Sequence, residues 1–153
     1  MSASHTLVFA DYSGPVIAAL LFVLIMSRVP EPARRIFNAV LVAGTCGAYL
    51  GGGFGIWELA YPLLATPVVY AGLRSYRFIG IAWLMHAVWD LAHHLWGNPI
   101  WPFMPTSSWG CMIFDAAIAI WFLAGAPTLI RHILPTGVRV YSPIGRRWFQ
   151  SAR

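Results

Sequence analysis

The sequence predicts an all-α polytopic membrane helix bundle of about five transmembrane helices, with the N-terminus outside and the C-terminus cytoplasmic. Three observations carry this. The chain of 153 residues is 59% hydrophobic and 10% charged, with a mean hydropathy of +0.67, which leaves too little polar surface to clothe a water-soluble globule. Its apolar residues gather in runs close to the roughly 20 that a spanning helix needs. Its positive charges fall only between or after those runs.

The first span is expected from about Tyr12 to Val29, with Pro15 tolerated in its opening turn, and Pro30 and Pro32 break the chain after it. The second covers Ile36 to about Gly53 and ends in the Gly51-Gly52-Gly53 run; the third runs from Trp57 to Leu73 and stops at Arg74-Ser75. The fourth extends from Arg77 to about Trp96, where Pro99, Pro102 and Pro105 impose an irregular loop. The fifth covers about Ser107 to Ile130. Gly47, Gly51 and Gly55 recur at every fourth position, the spacing of a small-xxx-small stripe for close packing within the bundle or between copies in a homo-oligomer.

All ten cations are arginine. Arg28, Arg34 and Arg35 flank the first loop, Arg74 and Arg77 the third, and Arg131, Arg139, Arg146, Arg147 and Arg153 follow the last span. Short cytoplasmic loops carry the positive excess, and five spans put every arginine on one side, with anionic lipid headgroups as the partner. A nucleic-acid surface is excluded, because it would spread Lys and Arg over a polar face. The whole chain, 1–153, is one transmembrane domain, with 135–153 a basic cytoplasmic tail along the inner surface. Cys46 and Cys111 lie in apolar runs and are expected to be free. The N-terminus lacks the positive region of a cleaved signal peptide, so the first span is expected to stay attached.

Of five acids, Glu58, Asp90 and Asp115 lie in or at the ends of spans. A charge at the bilayer centre costs about 2.5 to 3.5 kcal/mol on insertion scales, which asks for a partner or a purpose. In the fourth span His86, Asp90, His93 and His94 stand at i, i+4, i+7 and i+8, one helix face at about 100° per residue. Counting about 1.5 Å per residue puts Asp90 and Asp115 near the midplane, slightly toward the outer leaflet, with His93, His94, Cys111 and Glu58 further out. His86 lies deepest, where a single imidazole often caps a neighbouring carbonyl. Trp57, Trp96, Trp101 and Trp109 form the expected outer aromatic belt.

Imidazoles and carboxylates at matching depth are a ligand set for a divalent metal ion, Zn²⁺ or iron. His86, Asp90, His93, His94 and Asp115 are the candidate ligands, and Asp90 and Glu58 the candidate catalytic groups. Two readings without a metal stand beside it: a hydrogen-bonded network that locks the bundle, and an acid/base isomerase on an isoprenoid or sterol-like substrate. A proton or ion carrier is disfavoured, because the inner halves of the spans offer mainly Asn38 and Thr66.

Gly53-Phe-Gly55-Ile-Trp-Glu58, His86-x3-Asp90-x2-His93-His94 and Trp109-Gly-Cys111-x3-Asp115 together resemble an uncharacterised family of small bacterial integral membrane proteins. The resemblance covers the second to fifth spans and implies residence in the bacterial cytoplasmic (inner) membrane and one polar site, without an activity. Asp90-x2-His93-His94 also looks like a fragment of the histidine boxes of membrane di-iron hydroxylases and desaturases. Those carry about eight histidines, whereas the spans here hold His86, His93 and His94, so a single metal is expected. The leading expectation is an enzyme on a lipid-soluble substrate; the alternative is an accessory subunit of a larger membrane complex.

Overall fold

Five α-helices in chain order, with no strand, make up the described part of the computed structural model, residues 6–49 and 52–129. They are α1 (Phe9–Met26), α2 (Ala33–Thr45), α3 (Ala60–Gly72), α4 (Tyr76–Trp96) and α5 (Ser107–Leu123), with a 3-10 turn at Gly55–Leu59 ahead of α3. The tail expected at 135–153, and with it Arg131, Arg139, Arg146, Arg147 and Arg153, lies outside the described residues.

α4 is the centre of the arrangement, packing most heavily on α5 and also on α3 and α2, while α1 packs on α5. Its 21 residues give about 31 Å of helix, close to the thickness of a hydrocarbon core. α1, of 18 residues, is long and apolar enough to cross a membrane; α5 is apolar with 17. The crossing of α4 and α5 is close because Gly80 has no side chain: a Cβ there would stand 2.9 Å from the Leu123 nitrogen and 3.0 Å from the Ala119 carbonyl. Ile79, Ala82 and Trp83 of α4 meet Ile118, Ala119 and Phe122 of α5 in the core, which Val42 and Ala39 of α2 complete.

Three helices are shorter than the expected spans, α3 because its chain begins as the 3-10 turn Gly55–Leu59, and for α2 and α5 the reason is also local. α2 stops at Thr45, after which Cys46, Gly47 and Ala48 bond the carbonyls three residues back in tight turns, and Thr45 lends its own carbonyl to His86. Gly47 therefore lies beyond the helix end and Gly55 takes a positive φ of 59° in the 3-10 turn. Gly47 and Gly55 share no helical stripe, and Gly51 lies outside the described residues; a close helix approach is at Gly80. α5 ends at Leu123 in a glycine cap, with Gly125 at φ 87° and bonds Gly125 N–H to Phe122 O and Ala126 N–H to Trp121 O. Pro127 follows, so the helix does not continue toward Ile130.

At one end of the bundle Arg34 donates to Glu31, to the Tyr76 hydroxyl and to Thr128, and Arg35 donates to the Leu73 carbonyl. The α1–α2 connection, the α3–α4 connection and the chain beyond α5 thus meet at the arginine end. The opposite end is tied by Thr106 donating to Asp11 and by Asn98 N–H donating to the Gly52 carbonyl. Between the ends, polarity is inverted. Asn38, Glu58, His86, Asp90, His93 and Asp115 are buried, whereas Val88 is 63% exposed, Leu63 74% and Ile120 70%.

Candidate functional site

Asp90 projects from the middle of α4 with no exposed surface, and neither of its carboxylate oxygens meets a hydrogen-bond partner among the described residues. An orphaned buried carboxylate costs several kcal/mol. His86, one helical turn earlier, brings Nδ1 to 3.3 Å from Asp90 Oδ2. From α5, Asp115 Oδ2 lies 2.7 Å from the same Nδ1. The ring's other nitrogen, Nε2, stands 2.9 Å from the Thr45 carbonyl. A carbonyl only accepts, so Nε2 carries a proton and donates it, and Nδ1 is the nitrogen turned to the carboxylates.

His93 repeats this pattern two turns along α4. Its Nδ1 donates to the Trp89 carbonyl at 3.1 Å, and its Nε2 faces Glu58 Oε1 at 3.1 Å. Phe54 N–H donates to the same Glu58 oxygen, and Glu58 Oε2 is buried without a partner among the described residues. Tyr49 stacks on the imidazole with ring centroids 3.7 Å apart. Gly52 and Gly97 close over it, since a Cβ at either would stand about 3 Å from the ring. Each buried imidazole is therefore held by a backbone carbonyl on one nitrogen and presents the other to carboxylate, the arrangement that orients a ligand or stores a proton.

The structure sorts the predicted residues into two groups and an outlier. His86, Asp90 and Asp115 converge, offering one ligand atom each, all within 4.8 Å of one another. Glu58 and His93 form a separate pair, so the two expected catalytic carboxylates, Asp90 and Glu58, address different imidazoles. His94 is half-buried, with its ring 5.2 Å from that of Trp109 on α5. At about 100° per residue it sits a quarter-turn from His93, far enough to turn away. Glu58 lies in the 3-10 turn rather than in a spanning helix, and is nonetheless buried.

Several neighbours carried no signal in the sequence. Tyr49 and Tyr61 place their hydroxyls inside without a hydrogen-bond partner among the described residues; that of Tyr49 lies beside Asp90 and Ser108. The Tyr61 ring lies 5.6 Å from His86 and is stacked on Trp89. The Thr45 carbonyl is a backbone group, which no residue pattern announces. Cys46 and Cys111 are free, as expected, and both lie at the edge of the centre.

His86, Asp90 and Asp115 can hold a metal ion. The donor set of one imidazole and two carboxylates suits Zn²⁺ or Fe²⁺, and two carboxylate charges balance a dication. Three protein ligands also leave further coordination positions open, the pattern of reactive rather than purely structural sites.

Residues 10–128 match the family of unknown function DUF6010, and the chain belongs to that family. No curated protein and no solved structure matches it at a significant level.

Proposed function

We propose, from the geometry and with no activity inherited from the family, that the chain is a small multi-pass protein of the bacterial cytoplasmic membrane. Its interior binds a divalent cation on His86, Asp90 and Asp115 and acts on a lipid-soluble substrate. The Asp90 carboxylate carries the metal reading, because among the described residues neither of its oxygens makes a hydrogen bond, and it stands beside a nitrogen already oriented by Thr45. A bound cation would supply Lewis acidity toward a substrate oxygen or a water. The protein's own groups orient the imidazole, place two negative charges around one point and exclude bulk water.

The membrane reading is supported by the apolar exterior wrapped around buried His, Asp and Glu side chains. An ionisable interior under an apolar surface is what a hydrocarbon solvent asks for. Five arginines among the described residues lie at or next to the end where the α1–α2 and α3–α4 connections meet, and the positive-inside rule makes that end cytoplasmic. The N-terminus is then outside, and anionic lipids face the arginines.

Elemental analysis of the detergent-purified chain tests the metal reading. The wild type is expected to hold about one zinc or iron per chain, as a three-ligand site does, and an Asp90→Ala, Asp115→Asn double variant to lose it. Metal retained at wild-type stoichiometry in that variant, or none taken up by the wild type from Zn²⁺ or Fe²⁺ solutions, overturns it.

One observation favours a second reading. The 2.7 Å contact between His86 Nδ1 and Asp115 Oδ2 is a hydrogen-bond length, whereas two ligands on a tetrahedral zinc lie about 3.3 Å apart given bonds of about 2.0 Å. With a proton in place of the metal, the trio is an acid/base group of the kind an isomerase uses, or a locking element in a subunit of a larger complex.

A further inference from the structure

We propose, resting on the reading of a cation and a lipid-soluble substrate, that Tyr49 is a further catalytic residue of the centre. Its phenol O–H donates to the carbonyl oxygen of a neutral ketone or ester, the same oxygen that faces the cation on Asp90.

Two contacts fix the ring of Tyr49. It is stacked on His93, with centroids 3.7 Å apart and planes at 22°, and its centroid lies 6.4 Å from that of His86, the imidazole whose Nδ1 is 3.3 Å from Asp90 Oδ2. The tight turns at Cys46, Gly47 and Ala48 join it to Thr45, so the segment that sets a carbonyl on His86 also delivers the tyrosine. A phenol has two side-chain torsions, and a stacked, 3% exposed ring holds its hydroxyl in one place.

That hydroxyl is buried without a hydrogen-bond partner among the described residues, and so are both oxygens of the adjoining Asp90. A donor and an acceptor side by side, each costly to leave unpaired, do not bond to one another. They are two walls of a place for a third atom, an oxygen that accepts from Tyr49 and faces the cation Asp90 would hold. Ser108, the hydroxyl's other neighbour, is itself fully buried, and its Oγ accepts from Ile100 N–H.

Charge and lone pairs select the ligand. Two carboxylates balance a dication, so an anionic ligand would leave uncompensated charge inside the bundle, and a neutral one does not. The phenol and the cation both ask one oxygen for lone pairs. A carbonyl oxygen has two and brings no hydrogen that needs an acceptor of its own. Negative charge that grows on it during attack at its carbon falls on both groups, as in an oxyanion hole. Tyr49 also lines a cavity of about 410 Å³, with Ala48, Gly52, Asn98 and Ile100, at the end opposite the arginines, within the range of ligand sites.

Tyr49→Phe removes the hydroxyl and keeps the ring on His93. Tyr61→Phe is the control, because its hydroxyl is equally unpartnered among the described residues and its ring also adjoins His86. The full chain in detergent is loaded with Zn²⁺, and its zinc content and melting are recorded. Binding of methyl decyl ketone, isotope-labelled at the carbonyl carbon, is read from the carbonyl resonance, with the Asp90→Ala, Asp115→Asn variant as the background for partition into the micelle. Tyr49→Phe should bind the ketone about tenfold more weakly, equivalent to about 1.4 kcal/mol, with wild-type zinc and melting; Tyr61→Phe should bind it as the wild type does. Dodecanol and laurate should compete poorly. Equal affinity in Tyr49→Phe, or a loss that Tyr61→Phe shares, overturns the role of the phenol. Equal competition by dodecanol or laurate overturns the carbonyl. Zinc bound by a wild type that takes no ketone overturns this inference and leaves the metal reading standing; ketone bound through Tyr49 without zinc removes the metal reading and keeps the phenol as donor.

Discussion

His86 is joined through Nδ1 to Asp115 Oδ2 across the α4–α5 interface at 2.7 Å, while the opposite ring nitrogen is fixed on the α2 terminus. One side chain thus ties three helices at the most polar point of the interior, and the two ends of the contact are not equivalent.

Removing the imidazole should cost more than neutralising the acid. His86→Phe leaves Asp90 and Asp115 facing each other without a compensating group, and a broken buried pair costs about 3–5 kcal/mol. Asp115→Asn still offers Nδ1 a hydrogen-bonding amide and should cost about 1–3 kcal/mol. Unfolding of both variants in detergent measures the order; the reverse order would mean that the ring is not the group holding the carboxylates.

The Glu58–His93 pair should be separable from the metal centre. Glu58→Gln keeps an acceptor for Phe54 N–H and touches none of the three convergent ligands, so metal content should equal that of the wild type. Tyr49→Ala removes the ring stacked on His93 and opens a cavity under the glycines, at about 3–5 kcal/mol, the range for losing a large buried aromatic ring. Elemental analysis and unfolding curves read the two effects independently.

Two glycines in helices should respond in opposite directions. Gly80→Val forces a branched side chain against the Leu123 nitrogen and the Ala119 carbonyl, and overpacking of this kind costs about 1–3 kcal/mol. Gly14→Ala meets open space and should stabilise by about 0.5–1 kcal/mol through helix propensity. Thermal unfolding of the pair in one detergent decides, and equal losses would contradict the close α4–α5 crossing.

At the arginine end, Glu31 accepts from Arg34 and from the Tyr76 hydroxyl. Partial burial pushes its carboxyl upward, but these hydrogen bonds and the charges of Arg34 and Arg35 outweigh that and hold it below the usual carboxylate range. A lowered folded-state value means stability that is present above the unfolded pKa and lost as pH falls through the folded one. Because the group is partly exposed, the effect is no more than about 1 kcal/mol. Glu31→Gln should therefore melt slightly below the wild type at pH 7, and the gap should close on acidification below about pH 4. A gap independent of pH would show that packing, not charge, is lost.

Composition and arginine placement were enough to predict an all-α chain, and the run Tyr76–Trp96 was legible almost to the residue, because its apolar stretch is continuous and bounded by Ser75 and Gly97. The spacing His86-x3-Asp90-x2-His93 placed the polar face on one helix for the same reason: period is a local property. The early stop of α2 and the cap at Gly125 depended on turn bonds and a carbonyl shared with His86, which periodicity does not encode.

Which residues meet was decided between helices. Sequence depth put Asp90, Asp115, His93, His94 and Glu58 at similar levels, but level says nothing of azimuth, and helix rotation sent His94 toward Trp109 and His93 toward Glu58. The convergence of His86, Asp90 and Asp115 rests on the close approach that Gly80 allows between α4 and α5. Chain order thus determined the residue types and their spacing, because both follow from a single helix. The tertiary structure alone determined the partnerships, because they depend on distances between helices that packing sets.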